Sequence, residues 1–156
     1  MSLFVFDIDG TLADCNHRLH YIKSTPKNWK EFFSNNKNDQ PILPMIDLLM
    51  QLENNNRSEF EPNQIALATG RPERLRKDTI EWLFEHAGDL SFSLYMRNDY
   101  DYRPDVLVKI EQMKMIEQDY KRKIDIWFDD REPIIAALRT HGVFVVNVNQ
   151  GELYGS

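Results

Sequence analysis

Asp7 and Asp9 stand one residue apart in the stretch FDIDGTLAD, directly after the apolar run LFVF, and Gly10 and Thr11 follow them. Two carboxylates in that position repel each other and lose hydration at the end of an apolar element. A divalent cation, together with a chemical role for the carboxylates, would offset both penalties. Gly10 lets the chain leave the strand sharply, and the Thr11 hydroxyl can bond back into the loop. Further candidates follow other apolar runs: Thr69, Gly70 and Arg71 in TGR, residues 96–99 in MRND, and Asp129 and Asp130 in DDR.

The elements that must position these residues alternate along the chain. LFVFDI (3–8), QIALA (64–68), SFSLYM (91–96), KIDIWF (123–128) and VFVVNV (143–148) read as strands, the first a continuous run of the buried parallel type. Helices are predicted over 44–53, 72–86, 104–118 and 132–140, with Pro44 in the first turn of one and Pro72 and Glu73 opening the next. Leu75, Thr79, Trp82 and Leu83 share one stripe of the 72–86 helix. Residues 17–36 hold two short helical pieces, in which Trp29, Phe32 and Phe33 are expected to form the core of a small insert. NNKNDQP (35–41) and NNNRSEFEPN (54–63) read as loops. The order predicts an α/β fold: a three-layer, Rossmann-like parallel sheet of about five strands with helices on both faces. Ligands of such sheets bind beyond the carboxyl ends of the strands, where the candidate residues lie.

Composition narrows the classes. The chain has 156 residues, 42% of them apolar, which is enough for one domain with a proper core and no disulfides. Lys and Arg number 19 against 25 Asp and Glu, a formal charge of −6, so no broad basic face for a duplex is expected. The single cysteine, Cys15, excludes an internal disulfide and a multi-cysteine zinc site, and packing is its expected role. His17, His20, His86 and His141 show no ligand spacing. No apolar run approaches a membrane span and Met1-Ser2-Leu3 leads into a strand, so a cytoplasmic protein is expected.

The Asp-x-Asp-Gly-Thr stretch resembles the first motif of the haloacid dehalogenase-like phosphohydrolases. FDIDGTLADCNHR, ATGRP, TIEWL, LYMRNDYDYRPDVLVK and WFDDR together resemble the 3′-phosphatase domain of polynucleotide kinase, over residues 4–131. Tyr100 departs from that pattern, where a Gly often precedes the Asp of D-x-R-P-D. No G-x-x-x-x-G-K-[ST] phosphate loop occurs in the sequence, so no kinase half is expected in it.

The resemblance implies roles. Asp7 would be the nucleophile, forming an aspartyl-phosphate. Asp9 would protonate the leaving oxygen and then take a proton from water. Thr69 would hydrogen-bond the transferring phosphoryl group, and Lys109 would neutralise charge on Asp7 and the phosphoryl oxygens. Asp129 and Asp130, with Asp7 and the backbone carbonyl of Asp9, would hold Mg²⁺. Arg18, Gly70, Arg71 and Thr11 would bind substrate. Plainer readings stand beside these: Lys109 exposed on a helix, Asp129 or Asp130 as a helix cap, and Arg71-Pro72 as a helix start.

In this superfamily a cap often follows the first motif and closes over small substrates; here residues 14–42 offer only a minimal helical one. The expectation is therefore one domain, 1–156, acting as a Mg²⁺-dependent phosphatase on 3′-phosphorylated nucleic acid ends. A basic rim of Arg18, Arg71, Arg74, Arg76, Lys77, Arg97 and Arg103 would hold the strand. Phosphatase action on free nucleotides or other small phosphomonoesters is the second reading. The intact carboxylate, Thr and Lys set speaks against a third, a non-catalytic phosphate-binding module.

Overall fold

The structure is a computed structural model that describes residues 1–54 and 62–151. Five parallel strands form one sheet in the order β5-β4-β1-β6-β7, with β1 (Leu3–Phe6) at its centre between β4 (Gln64–Pro72) and β6 (Ile126–Asp129). β5 (Ser93–Arg97) and β7 (Val145–Asn147) form the edges. Period-two alternation sends Leu3 and Val5 to one face and Phe4 and Phe6 to the other. On the first face they join Trp127, Met113 and Ile116 of α5 (Asp105–Tyr120), and Ile134, Ile135 and Leu138 of α6 (Glu132–Thr140). On the second face Phe6 and Phe128 stack at 4.5 Å under Ile46 and Leu49 of α3 (Leu43–Asn54) and Trp82 and Leu83 of α4 (Arg76–Ala87). Helices on both faces with every strand parallel is the α/β architecture the alternating pattern predicts.

β5, β6 and β7 begin two or three residues later than the apolar runs suggest, and β1 ends at Phe6 rather than residue 8; the other differences from the sequence reading sit at the site end. β4 does not stop at residue 68 but runs on to Pro72, its pairing with β5 shifting between Ala68 and Pro72, so Thr69, Gly70 and Arg71 belong to the strand. The helix expected from Pro72 begins at Arg76, after a tight turn over Glu73–Leu75. Its expected stripe of Leu75, Thr79, Trp82 and Leu83 is buried. Asp129 is the last residue of β6 rather than the first beyond it. The loop expected at 54–63 falls mostly on residues 55–61, outside the described ones.

The insert is closed at its root by a two-residue antiparallel pairing that the sequence reading lacked. There β2 (Ala13–Asp14) meets β3 (Gln40–Pro41). Between them lie α1 (His20–Lys23), α2 (Trp29–Ser34) and short turns at Asn16–Arg18 and Asn36–Asn38. The aromatic group there is not a sealed core: Phe32 is buried beneath the Arg18 guanidinium, while Trp29 stays 46% exposed. Among the described residues no helix is long and apolar enough to cross a membrane.

Candidate active site

The loop after β1 is tied by one carbonyl. Ile8 O accepts the N–H groups of Thr11, Leu12 and Ala13 at 2.8–3.1 Å, and Gly10 takes a φ of +82° to make the turn. A side chain at Gly10 would also collide with its neighbour, since a Cβ there would lie 2.2 Å from Asp130 Oδ2. Glycine thus serves both backbone sign and close approach. The tight turn aims Asp7 and Asp9 into two different surroundings.

Asp7 faces the carboxyl ends of β4 and β6. Lys109, carried on α5 and 3% exposed, donates its Nζ to Asp7 Oδ1 at 2.6 Å, to Ala68 O at 2.8 Å and to Asp129 Oδ2 at 3.2 Å. Thr11 Oγ1 donates to Asp7 Oδ2 at 3.1 Å. Burial and the charge of Asp129 raise the Asp7 carboxyl well above its ordinary value, although Lys109 opposes them. Burial by itself would lower Lys109, but Asp129 and Asp7 outweigh it and hold the ammonium above its usual range. Burial and Asp129 push Asp130 up to about 6.

Asp7, Asp129 and Asp130 can each turn one oxygen to within 4.8 Å of the others. Asp129 is already satisfied. Its Oδ1 accepts the N–H of Asp130 and of Arg131, and its Oδ2 accepts from Lys109 and from Trp127 Nε1. Asp130 Oδ1, by contrast, is buried with no hydrogen-bond partner among the described residues. An orphaned buried carboxylate oxygen among crowded acids fits a small hard cation, and the all-oxygen donor set suits Mg²⁺.

Asp9 faces the insert. Arg18 Nη2 donates to Asp9 Oδ1 at 2.6 Å; Arg71 donates from Nη2 to Oδ1 at 2.7 Å and from Nε to Oδ2 at 3.1 Å. Burial pushes Asp9 up, but the charges and hydrogen bonds of Arg71 and Arg18 prevail and hold it well below the usual carboxylate range. Asp39 accepts from the same Nη2 atoms of the two guanidiniums, at 2.7 Å to Arg18 and 3.0 Å to Arg71. His17 Nε2 lies 2.7 Å from Asp39 Oδ1, and Trp82 Nε1 donates to the Asp39 carbonyl. Asn36 and Thr79 accept the remaining Arg71 contacts.

The other expected residues are nearby. Thr69 is buried at the end of β4, its Oγ1 accepting the Arg71 N–H at 3.1 Å, and no described bond uses its own proton. The Gly70 carbonyl accepts from Arg97 Nε. A Cβ at Gly70 would meet Asp105 Oδ1 at 3.7 Å, an ordinary contact, so nothing there demands glycine. Cys15 is buried, and burial raises its thiol well above the ordinary value, consistent with a packing role. A cavity of about 270 Å³ opens along the outer edge of β5 between Arg76 and Gln112; neither Asp7 nor Asp9 lines it.

The basic rim takes a different form from the expected one. Arg18 and Arg71 are buried against Asp9 and Asp39, and the rest carry acidic partners. Arg74 pairs with Asp99, Arg76 with Glu73, Lys77 with Glu81, Arg97 with Asp105, and Arg103 with Asp101 and Glu111. Asp39, in a polar break that reads only as loop, and Asp105, the last residue of the D-x-R-P-D stretch, which opens α5 and also pairs with Arg131, receive no role from the sequence alone.

Sheet order, strand-end acids and buried lysine together are those of a haloacid dehalogenase-like phosphatase. Residues 1–153 match the model of the polynucleotide kinase PNKP phosphatase domain, and the chain belongs to that family. No curated protein matches it. Two solved structures of the Pnkp1/Rnl/Hen1 complex, one described as an RNA repair complex, contain similar chains, at TM-scores of 0.73 and 0.71 with 24% and 23% identity. They cover 97% of this chain, which spans 47% and 43% of theirs, less than half of either. A HAD family enzyme from Bacteroides thetaiotaomicron, in complex with magnesium and inorganic phosphate, matches with a TM-score of 0.55 and 13% identity over 99% of this chain and 98% of that one. At such identities the solved structures speak to fold alone.

Proposed function

We propose that the chain is a Mg²⁺-dependent phosphomonoesterase that removes 3′-phosphates from nucleic acid ends through an aspartyl-phosphate on Asp7, with residues 1–156 as one phosphatase domain. The observation that carries the reading is the contrast between Asp7, held beside Lys109 and two further acids, and Asp9, held by two guanidiniums. The family assignment supports the phosphatase chemistry, and the RNA repair setting of the Pnkp1 chains supports a nucleic acid end.

Asp7 Oδ attacks phosphorus as the bond from phosphorus to the sugar 3′-oxygen breaks, and a proton from Asp9 goes to that oxygen. Water then attacks phosphorus, giving its proton back to Asp9 and releasing Asp7 and inorganic phosphate. Without substrate the arginines keep Asp9 ionised, which suits it to the second step. A phosphate dianion arriving between the two aspartates raises the proton affinity of Asp9 by like-charge repulsion, which prepares the first. Lys109 balances charge on Asp7, and the uncommitted Thr69 proton is free for a phosphoryl oxygen. Asp7, Asp130 and the Asp9 carbonyl would hold Mg²⁺, while Asp129 orients Lys109 and the Asp130 backbone. When bound, the cation neutralises the crowded acids and the phosphoryl charge. Arg18 and Arg71 act as positioning residues for Asp9.

One observation favours the second reading, a small phosphomonoester as substrate: the rim arginines are already paired with acids, so they lend little to holding a long strand. Phosphate release from a 3′-phosphorylated oligonucleotide, a 5′-phosphorylated one, a 3′-mononucleotide and p-nitrophenyl phosphate, each with Mg²⁺ and with EDTA, separates the two. The 3′-end reading expects the first substrate to have the highest kcat/KM and EDTA to stop all turnover. Equal kcat/KM for the 3′-mononucleotide would favour the small-substrate reading.

A further inference from the structure

Residues 98–104 connect β5 to α5 and carry Tyr100 and Tyr102, each 87% exposed. No other pair of aromatic side chains among the described residues is so open. Neither ring packs against another, and neither hydroxyl has a described partner, so the fold makes no use of them. Their carrier is nonetheless braced. Asp101 N donates to Asn98 O, Arg103 N to Asp101 Oδ1, and Arg97 Nη1 to the carbonyls of Asp101 and Arg103. An exposed aromatic pair on a braced loop is what a binding surface requires, because ordering entropy is already lost before the ligand arrives.

The loop is tied to the strand ends that carry the site. Arg97 at its start bonds to the Gly70 carbonyl and to Asp105 at its end, and Asp105 in turn pairs with Arg131, the neighbour of Asp130. On the other flank Asp99 accepts the Arg74 N–H at 2.8 Å, and the Arg74 guanidinium lies 5.6 Å from the ring of Phe33 in α2. The loop therefore bridges the strand ends and the insert.

Its charges cancel internally. Asp99, Asp101, Asp105 and Glu111 meet Arg74, Arg97, Arg103 and Arg131, which leaves the two rings on a surface of little net charge. Such a surface offers a phosphate little. It offers a planar, uncharged face a great deal, and every nucleobase has one.

We propose, resting on the 3′-end reading above, that Tyr100 and Tyr102 form a stacking platform for the unpaired bases next to the scissile 3′-phosphate. The strand is gripped by its bases rather than by its backbone charge. Stacking at such platforms amounts to about 5- to 150-fold in affinity per base.

The test compares kcat/KM for a short 3′-phosphorylated DNA oligonucleotide with kcat/KM for p-nitrophenyl phosphate, as a ratio. The ratio is measured in the wild type, in Tyr100→Ala/Tyr102→Ala and in Tyr100→Phe/Tyr102→Phe, with the same oligonucleotide lacking its last two bases as a second substrate. The alanine variant is expected to lower the ratio by about ten-fold or more, chiefly through KM. The phenylalanine variant should keep the wild-type ratio, since the rings remain. The abasic oligonucleotide should give the wild type the ratio of the alanine variant. An unchanged ratio in the alanine variant, a fallen ratio in the phenylalanine variant, or an abasic substrate as good as the intact one would each overturn the platform while the 3′-end reading stands. Failure of the wild type to hydrolyse the oligonucleotide at all would remove both. Both rings point away from the core, so unfolding is not expected to confound the variants.

Discussion

Asp7 and Asp9 are separated by one residue and live in opposite fields. Around Asp7 the neighbours are two acids and one lysine, and its carboxyl is held well above the ordinary value. Around Asp9 they are two arginines, and its carboxyl is held well below. The first environment is built without the insert, from β4, β6, the loop after β1 and the helix α5. The second needs the insert, which supplies Arg18, Asn36 and Asp39, with only Arg71 coming from the sheet. The insert is thus more than a cover: it completes the electrostatics around Asp9, while the sheet and α5 complete those around Asp7 and its neighbouring acids.

The sharpest way to break that comparison is to remove each negative charge in turn. Asp7→Asn keeps the shape but cannot form an acyl-phosphate, so turnover should fall to assay background. Asp9→Asn should lower kcat by about 10²- to 10⁴-fold, the usual worth of a proton-transfer group. Stability should move the other way. In EDTA, Asp7→Asn relieves a crowded, desolvated carboxylate and should leave Tm at or above the wild type. Asp9→Asn deprives two buried guanidiniums of a partner and should lower it. Thermal unfolding that ranks the two variants in the reverse order would contradict the assigned fields.

The second prediction sharpens the cation side. Gly10→Ala places a Cβ where Asp130 Oδ2 now lies and puts a side chain on a positive-φ residue. With Asp130 as a ligand, displacing its carboxylate in this manner should weaken the apparent Mg²⁺ constant by about 10- to 100-fold, read from activity against Mg²⁺ concentration. Gly70→Ala is its control, since a Cβ there makes ordinary contact. Matching Mg²⁺ titrations for Gly10→Ala and the wild type would dismiss Asp130 as a ligand.

The third prediction isolates the insert. Asp39 is buried and shares both guanidiniums with Asp9. Asp39→Ala leaves those charges with one partner and should cost about 3–5 kcal/mol of stability. For a chain of this size that lowers Tm by roughly 10 °C. A drop of only a degree or two would mean that the insert does not anchor the arginines.

These regions also differ in how far the sequence discloses them. Apolar runs, the alternation of periods and the Asp-x-Asp-Gly-Thr stretch announce the sheet and the acids at the end of β6 and just past β1, because local burial and a short motif encode them. Lys109 is found through resemblance, since on a helix a lysine by itself reads as solvated; its burial depends on four elements meeting. Asp39 gives no local signal. Its partners lie 21 and 32 residues away, and polar neighbours hide it in what reads as loop. The extension of β4 to Pro72 is hidden for a related reason. Thr-Gly-Arg-Pro carries turn residues, and only pairing with β5 makes it strand.

The smallest expected effect concerns how the strand is held. A phosphate contact that releases a counterion steepens the salt dependence of single-strand binding by about 0.7 in log–log slope. Seven free cations would make kcat/KM for an oligonucleotide collapse with salt. Here each of the seven has an acidic partner, and a phosphate must displace a carboxylate to reach it. The net release of counterions is then small, because the freed carboxylate recruits cations of its own. The oligonucleotide kcat/KM, divided by that of p-nitrophenyl phosphate to cancel effects on chemistry, should therefore fall with a slope shallower than about −1. Arg74→Ala should leave that slope unchanged, since Asp99 already neutralises the side chain. A slope of about −2 or steeper, flattened by Arg74→Ala, would mean that substrate draws the arginines out of their pairs. The rim would then grip the backbone after all, and the bases would matter less.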